Sequence, residues 1–323
     1  MKAPTVNARR IVVELREGMH MSKNCKKRLL ACTASDFEKM DREDLIHAIK
    51  ASEGRTVLSE IISYIEPTPI DITNAEIVRS YGADLMLLNK LDLNNIHIGG
   101  LPDTNEPIRL QKKLCGRPVG INLEPVGDNS VELMEGKISC PRGRQAIEEN
   151  FKECQKLGFD FICITGNPGM GVSNQAISDS LSIARKYFDG MIIAGKMHGA
   201  GVSENVVDED AILSFIEHGA DCILVPAPGT VPGVDIDDIK SATKLVHKHN
   251  KLIMSAIGTS QEGSEIETIR DFAMMSKRCG VDIQHIGDAG YPGVCPYENI
   301  YTISMVIRGL RHTVRMSAIS NER

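Results

Sequence analysis

The stretch Gly219-Ala220-Asp221-Cys222-Ile223-Leu224-Val225 decides the fold of this chain, because it is one of four copies of a single seam. The others are Gly82-Ala83-Asp84 before Leu85-Met86-Leu87-Leu88, Gly158-Phe159-Asp160 before Phe161-Ile162-Cys163-Ile164, and Gly280-Val281-Asp282 before Ile283-Gln284-His285-Ile286. Each glycine is placed to end a helix in the left-handed conformation, and each apolar run is short enough for a buried strand. The last three glycines stand 61 residues apart, at 158, 219 and 280. Two β/α units of roughly thirty residues each fill that interval.

Extending the pattern in both directions predicts eight strands: Thr56 to Ile62, Asp84 to Asn89, Pro118 to Glu124, Asp160 to Thr165, Met191 to Lys196, Asp221 to Pro226, Leu252 to Ile257 and Asp282 to Asp288. Amphipathic stretches separate them, including Gln145 to Leu157, Asn174 to Tyr187, Asp208 to His218, Asp237 to His249 and Ser264 to Cys279. Pro296 to Met316 is the eighth barrel helix, with Ile300, Ile303, Val306, Ile307 and Leu310 on its apolar face. Near-continuous apolar strands alternating with helices indicate an α/β fold, a (β/α)8 TIM barrel with its helices outside. An open doubly wound sheet is the competing architecture. Residues 1–54 are expected as an N-terminal extension packing on the barrel, with a helix from Arg42 to Lys50, and residues 55–323 as a single barrel domain.

Composition agrees with a globular chain. Of 323 residues, 42% are hydrophobic and 25% charged, and a chain this long needs no disulfide or metal to fold. The net charge of −6 argues against nucleic acid as a partner. Nine cysteines include no CxxC pair, and Cys163 and Cys222 sit inside apolar runs, as small buried hydrophobes do in a reducing compartment. No signal peptide or membrane-spanning run is visible, so a cytoplasmic protein without membrane partners is expected.

In such a barrel the polar residues that end the strands converge on one cup. In chain order these are Glu60, Asn89, Asn122, Glu124, Thr165, Asn167, Lys196, His198, Thr230, Ser255, His285 and Asp288. Lys196 follows the buried run Met191-Ile192-Ile193-Ala194-Gly195, where a desolvated amine would suit Schiff-base chemistry or anion binding. Glycine-rich loops follow the late strands, notably Gly258-Thr259-Ser260-Gln261-Glu262-Gly263-Ser264 and Gly287-Asp288-Ala289-Gly290. Such loops bring backbone N–H groups to an anion, and Ser264 is placed to cap the next helix with its free amides toward the cup. Glu262, Glu265 and Asp288 add negative charge close by. Asp235-Ile236-Asp237-Asp238 opens a helix and is read as cap and dipole partner, not as a metal site. His247 and His249 are read as solvent-facing. No Walker loop, HExxH, GxSxG or Rossmann fingerprint occurs.

The segments Gly120-Ile121-Asn122-Leu123-Glu124-Pro125, Gly166-Asn167-Pro168-Gly169-Met170-Gly171 and His285-Ile286-Gly287-Asp288-Ala289-Gly290-Tyr291 resemble a bacterial family of uncharacterised TIM-barrel proteins. Members of that family carry the labels PEP phosphonomutase-like or haloacid-dehalogenase-like. The resemblance runs from about Leu29 onward and implies, in general terms, a phosphate-binding barrel. The DxDx[TV] motif of a dehalogenase is absent, and the magnesium-binding acids and cysteine loop of a phosphonomutase have no residue-by-residue counterpart.

The expected function is that of a lyase or isomerase acting on a small phosphorylated or anionic metabolite. Lys196, Glu60, His198 and Asp288 would be catalytic. Asn89, Asn122, Glu124, Thr165, Asn167, Ser255, Gly258, Thr259, Ser260, His285, Gly287 and Gly290 would bind the substrate. Two alternatives stand beside it: a magnesium-dependent phosphoenolpyruvate-type mutase or lyase, and a non-catalytic sensor of a phosphorylated metabolite. The sequence requires no cofactor; Glu60, Glu124, His198 or Asp288 could hold a metal ion such as magnesium, but no spacing demands it. Assembly into a homo-oligomer is expected.

Overall fold

The computed structural model describes residues 26–126, 139–199, 201–290 and 292–323. Residues 1–25 of the expected extension, Ala200 of the loop after the fifth strand, and Tyr291 lie outside them. Eight parallel strands close into a barrel in sequential order: β1 Thr56–Ile62, β2 Leu85–Asn89, β3 Val119–Leu123, β4 Phe161–Ile164, β5 Met191–Gly195, β6 Cys222–Pro226, β7 Leu252–Ile257 and β8 Ile283–Ile286. β8 returns to β1 with Leu58 opposite His285, which closes the ring and excludes the open sheet.

Before β1 come a 3-10 turn at Leu29–Ala31, α1 at Ala34–Phe37 and α2 at Arg42–Lys50. After each strand in turn come α3 Asn74–Ser80, α4 Pro107–Cys115, α5 Glu148–Leu157, α6 Asn174–Tyr187, α7 Glu209–Glu217, α8 Ile236–Lys248, α9 Ile266–Cys279 and α10 Tyr297–Ala318. The chain is a (β/α)8 TIM barrel with an N-terminal helical extension.

Alternation along the strands sorts the apolar residues into two cores. Val57, Ile61, Met86, Leu88, Ile192, Ala194 and Ile253 face the outer helices. Leu58, Leu85, Leu87, Phe161, Cys163, Ile193, Leu224 and Met254 fill the barrel. The interior core also takes in Leu29, Leu30, Phe37, Leu45, Ala48 and Ile49, so the extension plugs one end of the barrel. Arg315 of α10 fastens that plug, donating to the carbonyls of Leu30 (2.8 Å) and Ala31 (2.9 Å).

The repeated seam has a single physical explanation. Each of its aspartates stands just before an even-numbered strand and pairs twice with the preceding odd strand. The backbone N–H groups of Asp84, Asp160, Asp221 and Asp282 donate to the carbonyls of Val57, Val119, Ile192 and Ile253. The N–H groups of those same residues donate back to the aspartate carboxylates at 2.8–3.0 Å. A basic side chain completes every clamp: Lys112, Arg185 and His247 from the helices that precede β3, β5 and β7, and Arg308 from α10, which follows β8. Gly158 and Gly280 end α5 and α9 at positive φ, as their place in the seam predicts. The clamps lie at the plugged end, at the starts of the strands, which in this fold serves stability, and the polar strand ends lie at the opposite end.

Several boundaries depart from expectation. The strands lose their terminal Asp, Pro and Thr residues because these make clamps and loops. α5 starts at Glu148 instead of Gln145, because Gln145 forms an isolated bridge with Glu124 after a 3-10 turn at Arg142–Arg144. α10 is bent at Gly309 (φ 69°), which lets the Thr313 hydroxyl meet that of Ser304 at 2.8 Å. His247 is not purely solvent-facing, since its Nε2 lies 2.9 Å from Asp282 Oδ2. Asp235 caps α8, as expected, by accepting from Asp237 N and Asp238 N.

Candidate functional site

The alternation that fills the barrel with Leu58, Leu85, Cys163 and Ile283 carries Glu60, Asn89, Asn122, Thr165 and His285 to the upper interior layer. All five are buried. The same layer on β5, β6 and β7 holds Gly195, Pro226 and Ala256. The mouth is therefore polar from β8 round to β4 and small or apolar opposite.

Asn89, the last residue of β2, is the hub of the polar arc. Its Nδ2 donates to Asp288 Oδ2 (2.8 Å) and Asn167 Oδ1 (3.1 Å). Its Oδ1 accepts from Lys90 N (2.8 Å), Asn122 Nδ2 (3.1 Å) and Asn167 Nδ2 (3.1 Å). One side chain thus ties together strands β2 and β3 and the loops after β4 and β8. Asp288 is held further by Gly290 N–H, 2.8 Å from its Oδ1.

Beside this hub, His285 Nε2 lies 3.2 Å from Glu60 Oε2. The distance suits an ion pair when the ring is protonated, but the angle is not that of a hydrogen bond. Neither ring nitrogen has a hydrogen-bond partner among the described residues. Burial pushes the Glu60 carboxyl up, and Asp288 adds to the rise while His285 opposes it. Asn122 Oδ1 and Thr165 Oγ1 are likewise buried without partners.

The other expected residues are placed differently. Lys196 continues the outward register of Ile192 and Ala194; it is only 2% exposed, and its amine bonds Glu204 Oε2. Glu204 Oε2 also accepts from Asn174 N at the start of α6. The lysine is desolvated, as expected, but it belongs to an ion pair and is not a lone amine. His198 is half-buried close to Lys196, and its pKa is pushed down to about 4, by burial first and the lysine's charge second. Glu124 forms an ion pair with Arg144 and accepts from Asn167 N at 3.3 Å. Ser255 shares the outward register of Ile253 and Ile257, under the helices and away from the mouth.

The loops expected to grip an anion are packed against the protein itself. The Thr259 hydroxyl donates to Gly258 O (2.6 Å) and Thr230 O (3.0 Å), and the Thr230 hydroxyl donates to Ala227 O (2.7 Å). Thr259 and Ser260 both adopt positive φ, in a turn where a 3-10 segment at Gln261–Gly263 begins. A side chain at Gly258 would meet Met197 Sδ, and one at Gly287 would meet the carboxyl of Glu262. Ser264 does not cap α9. The cap position is Glu265, without a side-chain bond, and the Ser264 carbonyl is taken by Asn299 Nδ2 (3.0 Å).

Glu262 is the member of the site that sequence reasoning undervalued, having counted it only as nearby negative charge. It is buried, its Oε2 has no hydrogen-bond partner among the described residues, and burial pushes its carboxyl up, reinforced by Asp288 and Glu60. An acid inside a glycine loop after β7 was the available signal. Glu204 and Arg144 were also missed, because long loops separate them from their partners in the chain.

Among the described residues, no three His, Cys, Asp or Glu side chains converge as a metal ion requires. Of the four expected magnesium donors, Glu124 faces Arg144 and His198 lies by Lys196, so only Glu60 and Asp288 adjoin.

With the geometry in view, one family model matches residues 30–323, described as a domain of unknown function (DUF7916). The chain belongs to that family. The DUF7916 description carries no activity, so it attaches neither the phosphonomutase nor the dehalogenase label. No curated protein matches the chain. Among solved structures, the orotidine 5'-phosphate decarboxylase from Pyrococcus horikoshii OT3 is similar at 17% identity and a TM-score of 0.46, covering 79% of this chain and 100% of its own. No described helix is long and apolar enough to cross a membrane.

Proposed function

We propose that this DUF7916 barrel is an acid–base lyase or isomerase that acts on a small anionic metabolite, phosphorylated or carboxylated, at the C-terminal ends of the barrel strands. The observation that carries this reading is the buried contact of Glu60 with His285, beside Asp288 and the Asn89 hub. A carboxyl whose pKa is raised by burial, next to an imidazole, is suited to moving a proton to and from carbon or oxygen. Asn89 and Asp288 position the pair, and Asn122 and Thr165 offer unpartnered polar atoms to a substrate. Lys196 serves as an electrostatic group at the rim, and not as a Schiff-base nucleophile, because its amine is committed to Glu204. The neutral His198 beside it is a hydrogen-bonding group for the same anion.

The test is proton exchange at carbon. The protein is incubated in heavy water with a panel of small phosphorylated and carboxylated aldehydes, ketones and hydroxy acids, and deuterium incorporation is followed by NMR. The reading expects incorporation into at least one compound, lost in Glu60→Gln, with no lysine adduct on borohydride reduction. Absence of exchange across the panel, or full exchange by Glu60→Gln, removes it.

A further inference from the structure

We propose that the barrel mouth seats a protonated amine of the substrate, held by Glu60, Glu262 and Asp288. This deepens the acid–base reading, on which it rests, by naming a second functional group on the metabolite.

The inference starts from an imbalance of charge and of hydrogen-bonding groups. Three carboxyl-bearing side chains approach from β1 and from the loops after β7 and β8, within electrostatic reach of one another. Glu262 lies across the top of β8, with its carboxyl over Gly287, two residues above His285 on the interior register. Two strong bases at the rim are committed elsewhere, Lys196 to Glu204 and Arg144 to Glu124. His285 and Lys90 are the bases that act on Glu60.

Unpartnered polar atoms are concentrated in the same place, and one nitrogen of a neutral His285 ring is an acceptor. Among the described residues, Glu262 Oε2 and Asn122 Oδ1 are buried without donors, and both nitrogens of the fully buried His285 lack a hydrogen-bond partner. Buried polar groups of this kind are costly unless something supplies the missing bonds. An alkylammonium supplies a positive charge and three N–H donors in one compact group. A phosphate in this position would add negative charge to the carboxylates and bring few donors. A quaternary ammonium would bring charge without donors, and a divalent ion would require a convergence of ligands that the described residues do not make. Burial raises the carboxyls of Glu60 and Glu262, and a seated cation would return both to the ionised form.

The experiment uses the full chain, labelled with carbon-13 at the glutamate carboxyls, at neutral pH and constant ionic strength. Ethylammonium, tetramethylammonium and magnesium chlorides are titrated separately, and the resonances of Glu60 and Glu262 are followed. Ethylammonium is expected to give a saturable shift at both, tetramethylammonium and magnesium none. Glu262→Gln is expected to weaken ethylammonium by about tenfold, the effect of one lost charge-assisted hydrogen bond. No saturable shift with ethylammonium, an equal shift with tetramethylammonium or magnesium, or unchanged affinity in Glu262→Gln overturns the proposal. If Glu262→Gln does not fold, the comparison of the three cations on the unaltered chain decides alone. The deuterium experiment reports the acid–base reading by itself, so the two fail separately.

Discussion

Asp221 Oδ2 accepts the backbone N–H of Ile192 at 3.0 Å, while the backbone N–H of Asp221 donates to the carbonyl of Ile192 at 2.8 Å. This two-way pairing joins β6 to β5, and Arg185 closes it at 2.6 Å from the same carboxylate oxygen. Truncating the aspartate leaves an amide without its acceptor and a guanidinium without its counter-ion. Asp221→Ala is therefore expected to cost about 3 kcal/mol. The midpoint of urea unfolding measures it, and a loss under about 1 kcal/mol would mean the clamp does not hold the sheet.

The clamp at Asp282 differs because its base is His247. The Asp282 hydrogen bond raises the pKa of His247 above its ordinary value, against a smaller effect of burial. A raised histidine pKa contributes stability that is full below about pH 6.5 and fades as pH climbs through the folded-state value. The side chain is 43% exposed, so solvent screening limits the contribution to less than about 1 kcal/mol. His247→Gln should therefore be less stable than the parent at pH 5.5, with the gap narrowing by pH 8.5. A gap that widens with pH contradicts this account.

Glu60 has the opposite sign. Its folded-state pKa is raised, so the unfolded chain loses its proton first, and the cost to the fold grows as pH rises from about 4.5. Glu60→Gln removes that cost. Relative to the parent, the variant should gain stability between pH 4.5 and pH 7.5, as paired urea titrations would show. A variant that loses ground over that range would place the carboxyl in a setting that favours its charge.

Asn89→Asp tests the hub. It replaces the donor 2.8 Å from Asp288 Oδ2 with a second carboxyl group, and like charges at that separation cannot both ionise without cost. A loss of about 2 kcal/mol is expected at neutral pH, smaller at pH 5. Equal losses at both values would show that shape, and not charge, dominates there.

Two glycines with different surroundings make a paired comparison. Gly195 has φ 148°, and a Cβ there would collide with the backbone carbonyl of Leu224 on the adjoining strand. Gly258 would meet only the flexible end of Met197. Gly195→Ala should cost about 3 kcal/mol or more, and Gly258→Ala less than about 1 kcal/mol. Thermal unfolding of the two variants side by side decides whether backbone crowding makes the difference.

The barrel was legible in the chain because hydrophobic periodicity and helix-ending glycines are local signals. β1 and β7 begin and end where the apolar runs do, and the seam marks all four even strands. Alternation within each strand also carried Glu60, Asn89, Asn122 and His285 to one layer without knowledge of any contact. The sequence by itself therefore determined the architecture and the strand ends at which polar residues stand.

What only the tertiary structure decided is which of those residues are free to act. Lys196 ends a strand as anticipated, yet the outward register and Glu204 commit it to an ion pair. Ser255 faces the helices, and Thr259 turns its hydroxyl onto backbone carbonyls. Glu262 became part of the mouth because its loop folds back over Gly287. The physical reason is common to all four. Register and periodicity follow from neighbours in the chain, whereas the pairing and solvation of a polar group depend on partners that the closing of the barrel brings together.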